Sequence, residues 1–185
     1  QIESRYPGVL ASERAKYERT VPESLSSAVG EPSPATPEAS LLAAPGDAKA
    51  LLDQAMEFSG RFPKGDYAAL LTDSRPRELE ALSFTFRISG ASLACVTHFA
   101  RHRMLSPMFR PSLAALNEGA YVLPDSIREN PEALRIYEEA MRANALEARA
   151  MAQAGVAPED LSYYALAGHT TSFWMTVNAR ELLHF

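Results

Sequence analysis

The stretch Arg101-His102-Arg103-Met104-Leu105-Ser106 decides how this chain is read. Two arginines, a histidine and a serine fall within six residues, directly after an apolar, β-prone run. Such a cluster is costly to bury and well suited to binding an anion. Planar guanidinium groups hold phosphate bidentately or stack on a planar ring. His102 between them could donate to a carbonyl of a bound heterocycle. On spacing alone, surface ion pairs account for the three residues equally well. A second polar cluster closes the chain, Asn178-Ala179-Arg180-Glu181-Leu182-Leu183-His184-Phe185.

Composition bounds the ligand. The chain has 185 residues, enough for one domain with a sizeable core. Hydrophobic content is 46%, and no apolar run approaches the roughly 20 residues that span a bilayer. Residues 1–19 are polar and charged, unlike a signal peptide. The lone Cys95 excludes an internal disulfide and suits a reducing cytoplasm, so a cytoplasmic location is expected. Net charge is −5, which argues against a nucleic-acid polymer as partner. The basic cluster is a local feature of an acidic chain and favours a small anionic ligand.

Residues 22–46 carry five of the thirteen prolines, with many Ser, Ala and Gly. That composition predicts a mobile loop, so residues 1–46 are expected as a mobile N-terminal segment, with a short helix over 11–19, and 47–185 as the folded domain. Asp47 is placed to cap a helix over 48–58, and Asp66 a second over 67–71. Another is expected over 77–82. Phe84-Thr85-Phe86-Arg87-Ile88 alternates like a strand, residues 89–92 read as a turn, and 93–100 resume as helix or strand. Residues 121–124 form a short extended piece. Asn130 as cap, Pro131 at the first helical position and Glu132 beside the dipole predict a helix to about Ala154, stopped by Gly155. A further capped start follows at Ala157-Pro158-Glu159-Asp160. Residues 172–184, with Phe173, Trp174, Val177, Leu182 and Leu183, read as a last helix.

Taken together, these pieces resemble the flavin-dependent thymidylate synthases, whose sequences carry RHRxxS and, later, NxRxLxHF. The likeness covers roughly residues 83–185. It includes Phe84-Thr85-Phe86 for the family's FTF strand, Tyr121-Val122-Leu123-Pro124 for YVxP, and Ala154-Gly155-Val156-Ala157-Pro158-Glu159-Asp160 for its GVPRED junction. The resemblance implies an α+β fold, a curved and mainly antiparallel sheet packed with long helices, in a homotetramer. It implies FAD bound where protomers meet, and reductive methylation of dUMP at C5 with methylenetetrahydrofolate as carbon donor and NADPH as reductant. Carried over by motif position, Arg101, His102, Arg103, Asn178, Arg180 and His184 would bind FAD. Arg101 and Arg103 would act in catalysis, and His98, Arg101, Ser106, Arg110 and Ser112 would face the nucleotide. A flavin needs donors at its pyrimidine carbonyls and cations near its diphosphate, which these residues supply.

The chain also departs from the pattern RHRxxSxNxxSxRY. Met108, Pro111, Leu113 and Ala114 stand where the family has Asn, Ser, Arg and Tyr. His98 replaces a Gln, and Ser162 stands where another phosphate-binding Arg is expected. An upstream HxTPFEH element is echoed over 75–81 only by Glu80. Arg110 and Ser112, either side of Pro111, are the available substitutes. The flavin half is thus retained and the nucleotide half rebuilt, which fits a divergent member acting on a related pyrimidine nucleotide. The UMP C5-methylases of peptidyl-nucleoside (polyoxin-type) antibiotic pathways are one such branch.

Other chemistry is weaker. Cys95 lies in apolar surroundings, His169 reads as a turn residue, and His98 with His102 at four-residue spacing lacks a third ligand, so no metal is expected. No glycine loop of the dinucleotide-binding kind occurs. Three readings follow: a uridylate C5-methylase acting on UMP or dUMP, a flavin- or nucleotide-binding homologue that has lost synthase activity, or an unrelated α-rich interaction protein. The first is the expectation.

Overall fold

A computed structural model of the protein describes residues 32–110 and 119–185. In chain order its elements are β1 (Ser33–Pro34), β2 (Glu38–Ala43), α1 (Ala48–Ser59), α2 (Tyr67–Thr72), a 3-10 turn (Arg77–Ala81), β3 (Ser83–Ser92), α3 (Leu93–Phe99) and β4 (Leu105–Phe109). There follow β5 (Ala120–Tyr121), α4 (Asp125–Arg128), α5 (Pro131–Gln153), α6 (Pro158–Leu161), a 3-10 turn (Ser162–Tyr164), β6 (Thr170–Asn178) and α7 (Ala179–Leu182). The class is α+β, as expected. The chain divides into two compact units, one of residues 36–110 with 171–185, the other containing 32–35 and 119–170.

The first unit is built on a four-stranded sheet in the order β2-β3-β6-β4. β2 runs antiparallel to β3, and β4 antiparallel to β6, with Leu105 opposite Val177 and Phe109 opposite Phe173. Phe173, Met175 and Val177 are buried on one face together with Ile88, Ala91 and Leu105, and Val96, Phe99 and Leu182 pack against them. Trp174 and Thr176 point to the exposed face. This alternation corrects the helix expected over 172–184. The apolar residues there can be laid on a helical face, but Phe173, Met175 and Val177 repeat every second position, and the segment is β-branched and aromatic. Only Ala179–Leu182 is helical.

Two further expectations change. The turn expected over 89–92 is strand, since β3 runs on to Ser92. Gly90 is needed there because another segment passes close. Its φ is +69°, and a Cβ would lie 2.8 Å from the Thr36 carbonyl oxygen. The loop expected over 22–46 contains β2, an edge strand whose residues are nearly all exposed. β2 gains its order from its ladder with β3 rather than from apolar burial. The short helix expected over 11–19 lies outside the described residues.

The capped helices form where expected. Asp47 Oδ1 accepts from the Ala50 N–H at 2.8 Å, and Asp66 Oδ1 from Ala69 at 3.1 Å. Met56, Leu70 and Leu79 make a second buried cluster in this unit. Arg61 ties its loops together, donating to the Arg75 carbonyl at 3.0 Å and to Asp73 at 2.9 Å, and pairing with the buried Glu78. The Arg75 backbone N–H and the Arg61 guanidinium hold the Asp73 carboxyl below the usual aspartate range. This clamp fixes the 3-10 turn that carries Glu80.

In the other unit α5 is the long helix, 23 residues, capped by Asn130 at Glu132 and Ala133 and followed by Gly155 at φ +86°. It buries Met141, Asn144, Ala145 and Ala148. β1 pairs parallel with β5, and Tyr121 bridges to His169. Among the described residues no helix is long and apolar enough to cross a membrane.

Candidate functional site

The two polar clusters, far apart in sequence, meet in the sheet-bearing unit. α3 ends at Phe99, and the chain then winds tightly. The Arg101 N–H donates to the His98 carbonyl at 3.1 Å, His102 to Phe99 at 3.1 Å, and Leu105 to His102 at 3.3 Å. Arg101 and Arg103 are exposed on this turn, and His102 between them is half-buried. Because His102 lies past the end of α3, it does not form a helical pair with the exposed His98. Among the described residues no group of three metal-ligating side chains occurs.

His102 is held on two sides. Its Nδ1 lies 3.0 Å from Glu181 Oε1, and its ring stacks on Phe185 with centroids 4.3 Å apart. Phe185 stacks in turn on Phe99 at 5.4 Å, and Phe99 packs edge-on to the buried Phe173 at 5.2 Å. A ladder of rings therefore runs from the core to His102. The backbone of Glu181 is anchored by Asn178, whose Oδ1 accepts its N–H at 2.8 Å. Asn178 thus ends β6 and caps α7, rather than standing inside a helix.

Arg180 makes an ion pair with Glu80, the residue retained from the upstream element. The Ala179 N–H donates to the Leu82 carbonyl at 2.8 Å, which brings α7 against that turn. Arg101 and Arg103 have no carboxylate partner among the described residues, whereas Arg61, Arg128, Arg135 and Arg180 each have at least one. Two guanidinium groups without a carboxylate partner among the described residues, flanking a fixed imidazole, could hold the diphosphate and heterocycle carbonyls of a flavin.

The remaining expected site residues are more loosely placed. His184 is exposed, and its backbone N–H donates to the Glu181 carbonyl at 2.9 Å. Ser106 lies exposed on the edge strand β4, opposite Thr176. Met108, one step along the same face, pairs with Trp174. Arg110 follows β4 directly, and Ser112 lies outside the described residues. Glu181 was not singled out in the sequence, although it sits inside the closing motif. Cys95 is half-buried in α3, and its backbone N–H donates to Ser92 Oγ at 3.1 Å. His169 is buried, and the Leu166 N–H donates to its Nδ1 at 3.0 Å. Burial pushes its imidazole below the ordinary histidine range.

The family model for Thymidylate synthase complementing protein matches residues 40–185. The flavin-dependent thymidylate synthase of Geobacter sulfurreducens is 34% identical over 110 residues, covering 58% of this chain and 47% of that protein. That of Thermococcus onnurineus is 31% identical over 113 residues, covering 58% and 46%. The chain thus spans about half the length of the curated relatives it matches. Among solved structures, the UMP/dUMP methylase PolB from Streptomyces cacaoi, bound with 5-Br UMP, aligns with a TM-score of 0.69 at 18% identity, over 84% of this chain and 78% of that one. The thymidylate synthase ThyX from Helicobacter pylori, with FAD and dUMP, aligns with a TM-score of 0.57 at 18% identity, over 80% and 81%. These two likenesses establish the fold.

Proposed function

We propose, from the premise that this chain belongs to the thymidylate synthase complementing protein family, that it carries out flavin-dependent C5 methylation of a uridylate, UMP or dUMP. The observation that carries this reading is the meeting of the two motifs, with His102 held by Glu181 and Phe185 between two arginines that have no carboxylate partner among the described residues. FAD is the proposed resident cofactor, methylenetetrahydrofolate the carbon donor, and NADPH the reductant. A homotetramer in the cytoplasm is the proposed setting, and a pyrimidine nucleotide the small-molecule partner.

Bound FAD supplies a hydride carrier. The protein's share is binding and electrostatics. Arg101, His102 and Arg103 present donors and positive charge to the flavin and the nucleotide. Arg101 and Arg103 also stabilise negative charge on the uracil carbonyls as C5 becomes nucleophilic. Asn178 uses its carbonyl oxygen as a helix cap, so its amide NH2 is the end available to a ligand. Arg180 engages Glu80 through Nη1 and keeps further N–H groups for the cofactor. His184 completes the flavin set, and His98, Ser106, Arg110 and Ser112 are proposed for the nucleotide.

A second reading, a binding homologue without synthase activity, is favoured by one observation. Met108 stands where the family has Asn, and on β4 it pairs with the half-exposed Trp174. One experiment separates the two. Reduced, FAD-loaded protein is mixed with methylenetetrahydrofolate and either UMP or dUMP, and the nucleotide product is weighed by mass spectrometry. Gain of a methyl group on UMP gives a uridylate methylase, and gain on dUMP alone a thymidylate synthase. Bound FAD with neither product leaves the second reading.

A further inference from the structure

We propose that Glu181 is the positioning residue of His102, fixing which ring nitrogen meets the bound heterocycle. The inference rests on the flavin-site reading above and deepens it. A carboxylate oxygen only accepts hydrogen bonds, so the 3.0 Å contact makes Nδ1 of His102 the donor. Nε2 is then the ligand-facing nitrogen. It accepts from an imide N–H when the ring is neutral and donates to a carbonyl when the ring carries a second proton.

Three restraints act on the one imidazole. Glu181 holds its edge, Phe185 lies against its face at 24° between planes, and its backbone N–H is bonded to the Phe99 carbonyl. Glu181 is itself shielded, with 16% of its side chain exposed against 30% for His102, so water competes weakly for the contact. The Asn178 cap fixes the Glu181 backbone. No such restraint acts on the exposed Arg101 and Arg103 side chains among the described residues, so the ordered member of the triplet is the histidine. The contact fixes the tautomer in either role, so a positioning role is told from a structural one by its effect on the ligand that Nε2 meets.

The test is histidine tautomer state in flavin-free protein labelled with 15N-histidine. Long-range 1H–15N spectra are recorded at about pH 9, well above the ordinary imidazole range. The chain has four histidines, and His102 is assigned by the signals lost in His102→Gln. Wild type should show His102 protonated at Nδ1. Glu181→Leu should move His102 to the Nε2–H form and weaken FAD binding about tenfold, the order seen when partners that orient histidine ligands are removed. Glu181→Gln, whose amide oxygen still accepts, should keep the Nδ1–H form and stay within about twofold of wild-type FAD affinity. His102 protonated at Nε2 in wild type overturns the proposal whatever the variants do. So does an unchanged tautomer in Glu181→Leu, or a Gln variant that keeps the tautomer but loses FAD. If wild type shows the Nδ1–H form yet binds no FAD, the flavin reading fails while the hold of Glu181 on His102 stands.

Discussion

Asn178 joins strand to helix and core to site, so its replacement tests both levels. In Asn178→Ala the Oδ1 acceptor at 2.8 Å from the Glu181 N–H is lost. Loss of such a cap costs about 1 kcal/mol, within a range of roughly 0.5–2. α7 is only four residues long, so its fraying carries Arg180 and Glu181 away from Glu80 and His102. The pair with Glu80 is part-exposed and adds at most about 1 kcal/mol. A total near 1–2 kcal/mol lowers Tm by roughly 2–8 °C in a chain of this size. Asn178→Asp keeps the cap, because aspartate accepts equally well and suits the helix N-terminus. It should unfold within a degree or so of wild type. It nevertheless removes the amide NH2, and loss of one such donor weakens binding by about 0.5–1.5 kcal/mol, roughly two- to tenfold in FAD affinity. Thermal unfolding by circular dichroism and FAD titration by flavin fluorescence read the two effects separately. An Ala variant with unchanged Tm would refute the cap, and an Asp variant with wild-type FAD affinity would refute the amide as a ligand donor.

Arg180→Ala should lose FAD on gel filtration while keeping its far-UV spectrum, since the Glu80 pair contributes little to folding; unchanged flavin occupancy contradicts the assignment. Phe173→Ala should cost about 3–5 kcal/mol, a large share of a typical domain's stability, because the ring is 1% exposed and contacts both Phe99 and Phe109; urea midpoints measure it. The buried His169 makes folding sensitive to mild acid. Its folded pKa is lowered from 6.5, so as pH falls the unfolded chain takes up the proton first, and stability declines from about pH 6.5 down to the folded value. His169→Gln should flatten that part of the urea midpoint against pH, and an unaltered slope would assign the loss to other groups.

What could be read in the sequence was local. Asp47, Asp66 and Asn130 cap helices because a side-chain oxygen followed by a periodic apolar run has few other uses, and Gly155 stops α5 as a left-handed residue. The motif residues were legible as a set because RHRxxS and NxRxLxHF keep their spacing. Residues 173–177 read as a helix because Phe173, Trp174, Val177, Leu182 and Leu183 satisfy a helical face as easily as a strand's alternation, and pairing with β4 decides between them. β2 escaped because a ladder with partners 42–51 residues away leaves no mark on composition. Glu181 escaped for the same reason. A glutamate near the end of a chain looks solvated, and its partner His102 lies 79 positions earlier.

The placement of carboxylates argues that the basic cluster is a site and not a solvated surface. The chain carries 23 acidic residues against 18 basic ones, so partners for arginine are in surplus. Arg61 and Arg135 each gather two carboxylates, and Arg128 and Arg180 one each. At the 101–103 turn the carboxylate that arrives, Glu181, goes to the imidazole instead. This orders the middle residue and, among the described residues, leaves the positive charge of its neighbours without a carboxylate partner. Two like charges side by side are unfavourable until an anion joins them. A turn that fixes its histidine on a ladder of rings reaching the core, and leaves its arginines without a carboxylate among the described residues, supports the proposed ligand, one that combines a planar heterocycle with phosphate.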